Sequence, residues 1–315
     1  MAYQKLEGLI AAPFTPMLPD GKIDISRIPE YYSLLKSNRV RGAFICGSTG
    51  EGVSLTLAEK MEVIEAWGSL TRQDPDFFVM PLLGGTSLEE CKSIARFASK
   101  AGMDGVSFTA PFYFKPSSAA VLAEICADVA AAVPELPFYY YHIPVLTGVN
   151  IPVYDLLQAI DGRVPNFAGV KYTHEDFMDF LSCLRFQNGR YDMLWGRDEN
   201  MLAALALGAK GSVGSTFNYA APLYHALISA FHAGQLEAAR EWQQKSIDMI
   251  RLLGKYGGIA TGKAYMRRIG FECGSFRLPV RNMTDADYQR FLQDVEQLGF
   301  DAYRSAIPEP VMIEK

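Results

Sequence analysis

The stretch FFVMPLLGGTSLEECKSIARFASKAGMDGVSFTAP, residues 77–111, decides the fold. It opens on an apolar run that stops at Gly84 and Gly85, and closes on a second run, DGVSFTAP, that stops at Pro111. Between them, apolar residues recur at spacings of three and four, the period of a helix with one buried face. Ser87 stands where an N-cap is wanted, and Glu90 follows three residues later, which is the capping-box spacing. The unit therefore predicts strand, helix, strand. A strand that is apolar on both faces belongs to a parallel sheet covered by helices.

Working outward, the same pattern repeats. Candidate strands are GLIAAPF from 8, VRGAFICG from 40, FFVMPLLGG from 77, DGVSFTAP from 104, LPFYYYHIP from 136, FAGVKYT from 167, YDMLWG from 191 and GSVGST from 211. Helix-like segments separate them, such as TLAEKMEVIEAWGSL with Thr56 as N-cap and Glu59 at the box position. Eight such units predict a closed (β/α)8 TIM barrel over residues 1–221. From about residue 222 the strand signals stop, and residues 222–315 read as a C-terminal helical extension. No Pro/Gly/Ser-rich linker divides it from the barrel, so one structural domain is expected.

Thirty Lys and Arg against 35 Asp and Glu give 30 − 35 = −5, so composition implies no basic patch for nucleic acid or for an anionic membrane. At 49% hydrophobic and 21% charged residues, the chain has a globular composition without the polar bias of disorder. Cys46, Cys91, Cys126, Cys183 and Cys273 are scattered singly and never form a CxxC pair, which favours a reducing compartment. The opening MAYQKLEGLIAAPFTPM is expected to be neither a signal peptide nor a membrane span. The cytoplasm is the expected address.

In a barrel of this kind the chemistry sits at the C-terminal ends of the strands. The sixth strand, FAGVKYT, carries Lys171 inside an otherwise apolar run. Burial disfavours an ammonium and lowers its pKa, and the neutral amine can attack a ketone to form a Schiff base. The bland alternative leaves the amine in solvent at a strand edge. The fifth strand ends YYYHIP, residues 139–144. Strand alternation puts Tyr139 and Tyr141 on one face and Tyr140 on the other. Tyr141 is the last inward candidate; if the fifth and sixth strands are neighbours, its phenol can shuttle a proton beside Lys171. Otherwise it is a core tyrosine, the reading kept for Tyr139 and Tyr140.

The second strand ends CGSTGEG, residues 46–52, where Gly47, Gly50 and Gly52 permit sharp turning. The amides and hydroxyls of Ser48 and Thr49 can face a carboxylate there, or the loop is simply a turn. The seventh and eighth strands end WGRDEN and GSVGSTFN, placing Asp198, Glu199 and Ser215 around the same mouth, suited to a polyhydroxylated substrate. Asp198 and Glu199 equally suit the start of the following helix. GGIATGKA, residues 257–264, imitates a phosphate-binding loop, but Ala264 stands where Ser or Thr is needed and no strand precedes it. His142, His174, His225 and His232 form no HxH or HExxH pattern, so no metal is expected.

Taken in order, GSTGE, YYYHIPVLTG, GVKYT and GSVGSTFN resemble the Schiff-base lyase family that contains N-acetylneuraminate lyase and dihydrodipicolinate synthase. The resemblance runs from about residue 8 to the C-terminal helices. It implies Lys171 as the Schiff-base lysine, Tyr141 as the acid/base tyrosine, and Ser48 with Thr49 as binders of a pyruvyl carboxylate. It further implies that Tyr113, in PFYFKP, is lent to a neighbouring subunit's site. Thr173, Gly196, Asp198, Glu199 and Ser215 are the expected contacts to the rest of the substrate. Leu146, in YHIPVLTG, stands where synthases resemble YN.P.RTG and hold a second carboxylate with arginine, which leucine cannot do. Arg197 is less expected.

By this resemblance the implied activity is reversible cleavage of N-acetylneuraminate to pyruvate and N-acetylmannosamine, by a homotetramer built as a dimer of dimers. The only partner implied is a small keto-acid sugar, and no metal or organic cofactor is needed. An aldolase for another 2-keto-3-deoxy acid, or a synthase-like enzyme, is the nearest alternative. A metal-dependent lyase and a non-catalytic barrel that binds a keto acid stand further off.

Overall fold

The computed structural model describes residues 3–72 and 74–308. Eight parallel strands form one sheet: β1 (Gly8–Ala11), β2 (Gly42–Ile45), β3 (Phe78–Pro81), β4 (Val106–Thr109), β5 (Phe138–His142), β6 (Phe167–Tyr172), β7 (Asp192–Trp195) and β8 (Gly211–Gly214). Their order is β3-β2-β1-β8-β7-β6-β5-β4. A parallel bridge between Leu82 and Ser107 joins the two ends, with the Leu83 N–H donating to the Ser107 carbonyl at 2.7 Å. The sheet thus curls into a nearly closed (β/α)8 TIM barrel, as the repeated strand–helix pattern predicts.

Strand alternation sorts the core into two layers. Ile10, Phe44, Met80, Tyr139, Tyr141, Leu194 and Val213 fill the barrel interior. Tyr140, Val170 and Tyr172 point the other way and pack against the helices. The three consecutive tyrosines therefore serve different layers. All three are buried, and the Tyr139 hydroxyl donates to Asp192 Oδ2 at 3.1 Å.

Helix starts follow local chemistry. Thr56 caps Leu57–Thr71 with a complete capping box. At Leu88–Lys100, Ser87 accepts from the Glu90 N–H but receives nothing back from its carboxylate, so the expected second box is only half made. Glu59 is held by the Arg277 guanidinium, whereas Glu90 lies exposed.

The helix Phe217–His232 spans the expected 221/222 boundary, and its backbone breaks at Ala220 just before Pro222. The helices Leu236–Lys255, Thr261–Ile269 and Asp285–Gln297 follow. The first of these reaches back to the barrel mouth: Gln243 Oε1 accepts from the Leu202 N–H at 2.8 Å, and its Nε2 donates to the Asp198 carbonyl at 3.2 Å. No helix among the described residues is long and apolar enough to cross a membrane.

Candidate active site

Lys171 lies one residue before the end of β6, and the β5–β6 register sets it directly opposite Tyr141. Paired residues of neighbouring parallel strands point to the same face, so both side chains enter the barrel at its C-terminal end. There the Lys171 Nζ lies 3.8 Å from the centre of the Phe44 ring and 4.1 Å from that of Tyr141. The two rings meet edge to face at 5.4 Å. Lys171 is only 4% exposed. Burial pulls its pKa down to about 7, with the Asp198 carboxylate acting in the opposite direction. The amine is therefore substantially neutral near pH 7, as a nucleophile must be.

Burial pushes the Tyr141 phenol up to about 12, while hydrogen bonding from the hydroxyls of Ser48 and Thr173 holds it down. The phenol is thus protonated at neutral pH and can pass a proton along, accepting one as it gives up its own. Apart from that phenol, the buried Thr173 Oγ1 has no hydrogen-bond partner among the described residues. Gly196 fits beneath it: a Cβ there would lie 2.0 Å from Thr173 Oγ1.

The loop after β2 brings Ser48 to this group, half-buried, with Thr49 buried beside it. Its turn is tight, because Gly52 passes so close to Cys46 that a Cβ would lie 1.8 Å from the Cys46 carbonyl oxygen. Cys46 and Glu51 both take left-handed backbone angles, φ 54 and 56. At the next strand ends, Asp198 is buried and accepts from the N–H and hydroxyl of Thr216, at 3.1 and 2.6 Å. Burial raises its pKa to about 6. Of the two roles open to Asp198, the side-chain cap of the following helix is not made, although the residue does stand in the first turn of the short helix Asp198–Asn200. Its carboxylate turns across to β8, where a Cβ on Gly214 would lie 2.0 Å from its oxygen, and the helix Met201–Leu207 has no side-chain cap.

Glu199 is tied up differently. Arg197 Nη2 contacts Glu199 Oε1 at 2.7 Å and Glu175 Oε1 at 2.6 Å, so the unexpected arginine partly neutralises an acidic rim. Ser215 is half-buried directly after β8. Tyr113 is not in this group: it is 76% exposed and packs on Phe114 at 5.0 Å. Leu146 is exposed as well.

Sequence reading missed Phe44, although its position near the end of β2 on the inward face is a usable signal. It also missed Thr216, for which the chain offers no sign of a bond to Asp198. Among the described residues no group of three or more His, Cys, Asp and Glu side chains is arranged to hold a metal. The His142 ring is buried, and that burial pushes its pKa down to about 3.

A model of the dihydrodipicolinate synthetase family matches residues 5–298. The chain belongs to that family. Within it, N-acetylneuraminate lyase from Rattus norvegicus is 39% identical over 304 residues, covering 94% of this chain and 95% of that protein. The solved structure of Proteus mirabilis N-acetylneuraminate lyase superposes with a TM-score of 0.91 at 36% identity, covering 94% of this chain and all of that one. The Aliivibrio salmonicida N-acetylneuraminate lyase (sialic acid aldolase) follows with a TM-score of 0.89 and 34% identity, over 95% of this chain and 98% of its own. The family's barrel is thus present over nearly the whole chain.

Proposed function

We propose that this chain cleaves N-acetylneuraminate reversibly to pyruvate and N-acetylmannosamine, through a Schiff base on Lys171. One observation carries the proposal: a lysine amine held between two rings at the barrel mouth, its pKa drawn to about 7, opposite Tyr141 in the register. The relatives named above support the substrate.

Lys171 attacks the C2 ketone of the open-chain sugar and water leaves, giving an iminium that draws electrons from the C3–C4 bond. Tyr141 takes the C4 hydroxyl proton while passing its own toward the substrate carboxylate, which Ser48 and Thr49 hold. As C3–C4 breaks, N-acetylmannosamine leaves and an enamine remains on Lys171. Protonation at C3 restores the iminium, and water releases pyruvate and the free amine. The electron sink is covalent, so this chemistry needs no metal or organic cofactor. Thr173, Gly196, Asp198, Glu199 and Ser215 surround the sugar portion.

Tyr113, projecting from the surface beside Phe114, serves a neighbouring copy in a tetrameric dimer of dimers. Five buried free thiols accord with a cytoplasmic address. Barrel and extension act as one unit, since the helix Phe217–His232 belongs to both. A synthase-like activity is disfavoured, because Leu146 offers no cation for a second carboxylate.

The test is borohydride reduction in the presence of pyruvate, followed by peptide mass mapping. A stable adduct on Lys171, absent from Lys171→Ala, is expected. An adduct on Lys210 or Lys263 instead overturns the assignment.

A further inference from the structure

We infer that Glu51 and Lys263 form a buried ionic clamp that positions the Ser48–Thr49 loop for its carboxylate ligand, so that an ammonium in the C-terminal extension sets keto-acid affinity. The inference rests on the function proposed above and adds two positioning residues to it.

The loop closes on itself through backbone bonds from the Glu51 N–H to the Ser48 carbonyl at 3.2 Å and from the Gly52 N–H to the Gly47 carbonyl at 3.0 Å, but it is also held from outside. Cys46 and Glu51 take left-handed angles that residues other than glycine disfavour, and at Glu51 contacts from outside the loop help to maintain them. Those contacts form a closed ring. Lys263 Nζ donates to Glu51 Oε1 at 3.0 Å, to the Thr15 carbonyl at 3.1 Å and to the Ser275 carbonyl at 3.0 Å. An ammonium has three N–H donors, and here all three are engaged. Thr15 in turn donates its hydroxyl to the Gly50 carbonyl at 2.6 Å, and Glu51 Oε2 accepts the Arg277 N–H at 2.8 Å. Glu51 is thus fixed through both oxygens and Gly50 from the other side, immediately after Ser48 and Thr49.

The pair is sealed from solvent, with side-chain exposures of 4% for Lys263 and 3% for Glu51. Water is not available to replace either partner, so loss of one leaves the other uncompensated and the loop free to relax. Strain stored beside a ligand site is commonly maintained in this way by the surrounding structure. A displacement of about 1 Å at a positioning group is enough to change the kinetics of a reaction by orders of magnitude.

The test measures the condensation direction, where pyruvate and N-acetylmannosamine have separate KM values, in Glu51→Asp and in the uncharged double variant Glu51→Gln with Lys263→Met. Glu51→Asp keeps a carboxylate beside the ammonium but is one methylene too short to hold both of its partners. The double variant leaves no unpaired buried charge. In each, the pyruvate KM is expected to rise about tenfold or more, while the N-acetylmannosamine KM changes less than about twofold. A purely structural role predicts a lower melting temperature with both KM values unmoved, and that result overturns the clamp. If the double variant does not fold, Glu51→Asp decides. Borohydride trapping of pyruvate on wild-type Lys171 separates the two levels: no adduct overturns the function and the clamp with it, whereas an adduct with unmoved KM values overturns the clamp alone.

Discussion

The strongest quantitative consequence of the site is the pH at which Lys171 becomes a nucleophile. An ordinary lysine at 10.5 is neutral in about one molecule in three thousand at pH 7, whereas a group drawn to about 7 is neutral in about half. Burial therefore raises the reactive fraction at pH 7 by roughly a thousandfold. The sign follows from the lowered value: reactive amine appears as pH rises through about 7, and the ammonium dominates below it. Asp198 opposes the shift, since its charge favours the ammonium, and with its own pKa of about 6 it is mostly charged from pH 7 upward, around the Lys171 midpoint and above. Asp198→Asn removes that support, so the midpoint should move down by about one pH unit. The assay is the initial rate of borohydride-trapped pyruvate adduct from pH 5 to 10, with the adduct mapped to Lys171. A wild-type midpoint of 9 or above, or an upward shift in Asp198→Asn, would refute the account of desolvation opposed by one carboxylate.

Tyr141→Phe keeps the ring that faces Lys171 but loses the relay, so imine trapping should persist while cleavage falls by about 10²–10⁴; unchanged turnover measured by pyruvate release removes the phenol from the mechanism. Gly196→Ala puts a methyl 2.0 Å from Thr173 Oγ1 and must push that hydroxyl aside. The expected effect is a raised KM for N-acetylneuraminate with the pyruvate adduct still forming on Lys171, and an unaltered KM would show that Thr173 does not touch the sugar.

The barrel was legible because burial on both faces leaves a direct mark on sequence: apolar runs separated by helical periodicity. All eight expected strands form, each shorter than its apolar run because pairing ends where the chain turns into a loop. Lys171 and Tyr141 were legible as polar residues near the ends of such runs, and the register then placed them together. What could not be read was distance across the barrel. Phe44 faces Lys171 from four strands away in the sheet order, and Thr216 binds Asp198 from the next strand. Neither contact leaves a local pattern. Asp198 was left with two readings for the same reason, because an acid near a helix N-terminus reads alike whether it caps that helix or bonds to a neighbouring strand.

Two of the buried lysines show why residue type and burial together still underdetermine role. Lys171 and Lys263 are each 4% exposed, and burial lowers the pKa of both. They differ in what replaces water. Around Lys263, a carboxylate and two carbonyls lie within 3.1 Å and take every donor, so the charged form is solvated by the protein and the proton stays. Around Lys171, the nearest groups are two ring faces, and a carboxylate acts only from a distance without a hydrogen bond, so the neutral form is favoured. A ring face offers an ammonium much less than oxygen ligands do. Converting one lysine into the other's role would require changing partners rather than depth. Supplying Lys171 with a bonded carboxylate should silence it as a nucleophile, even with its position in β6 unchanged.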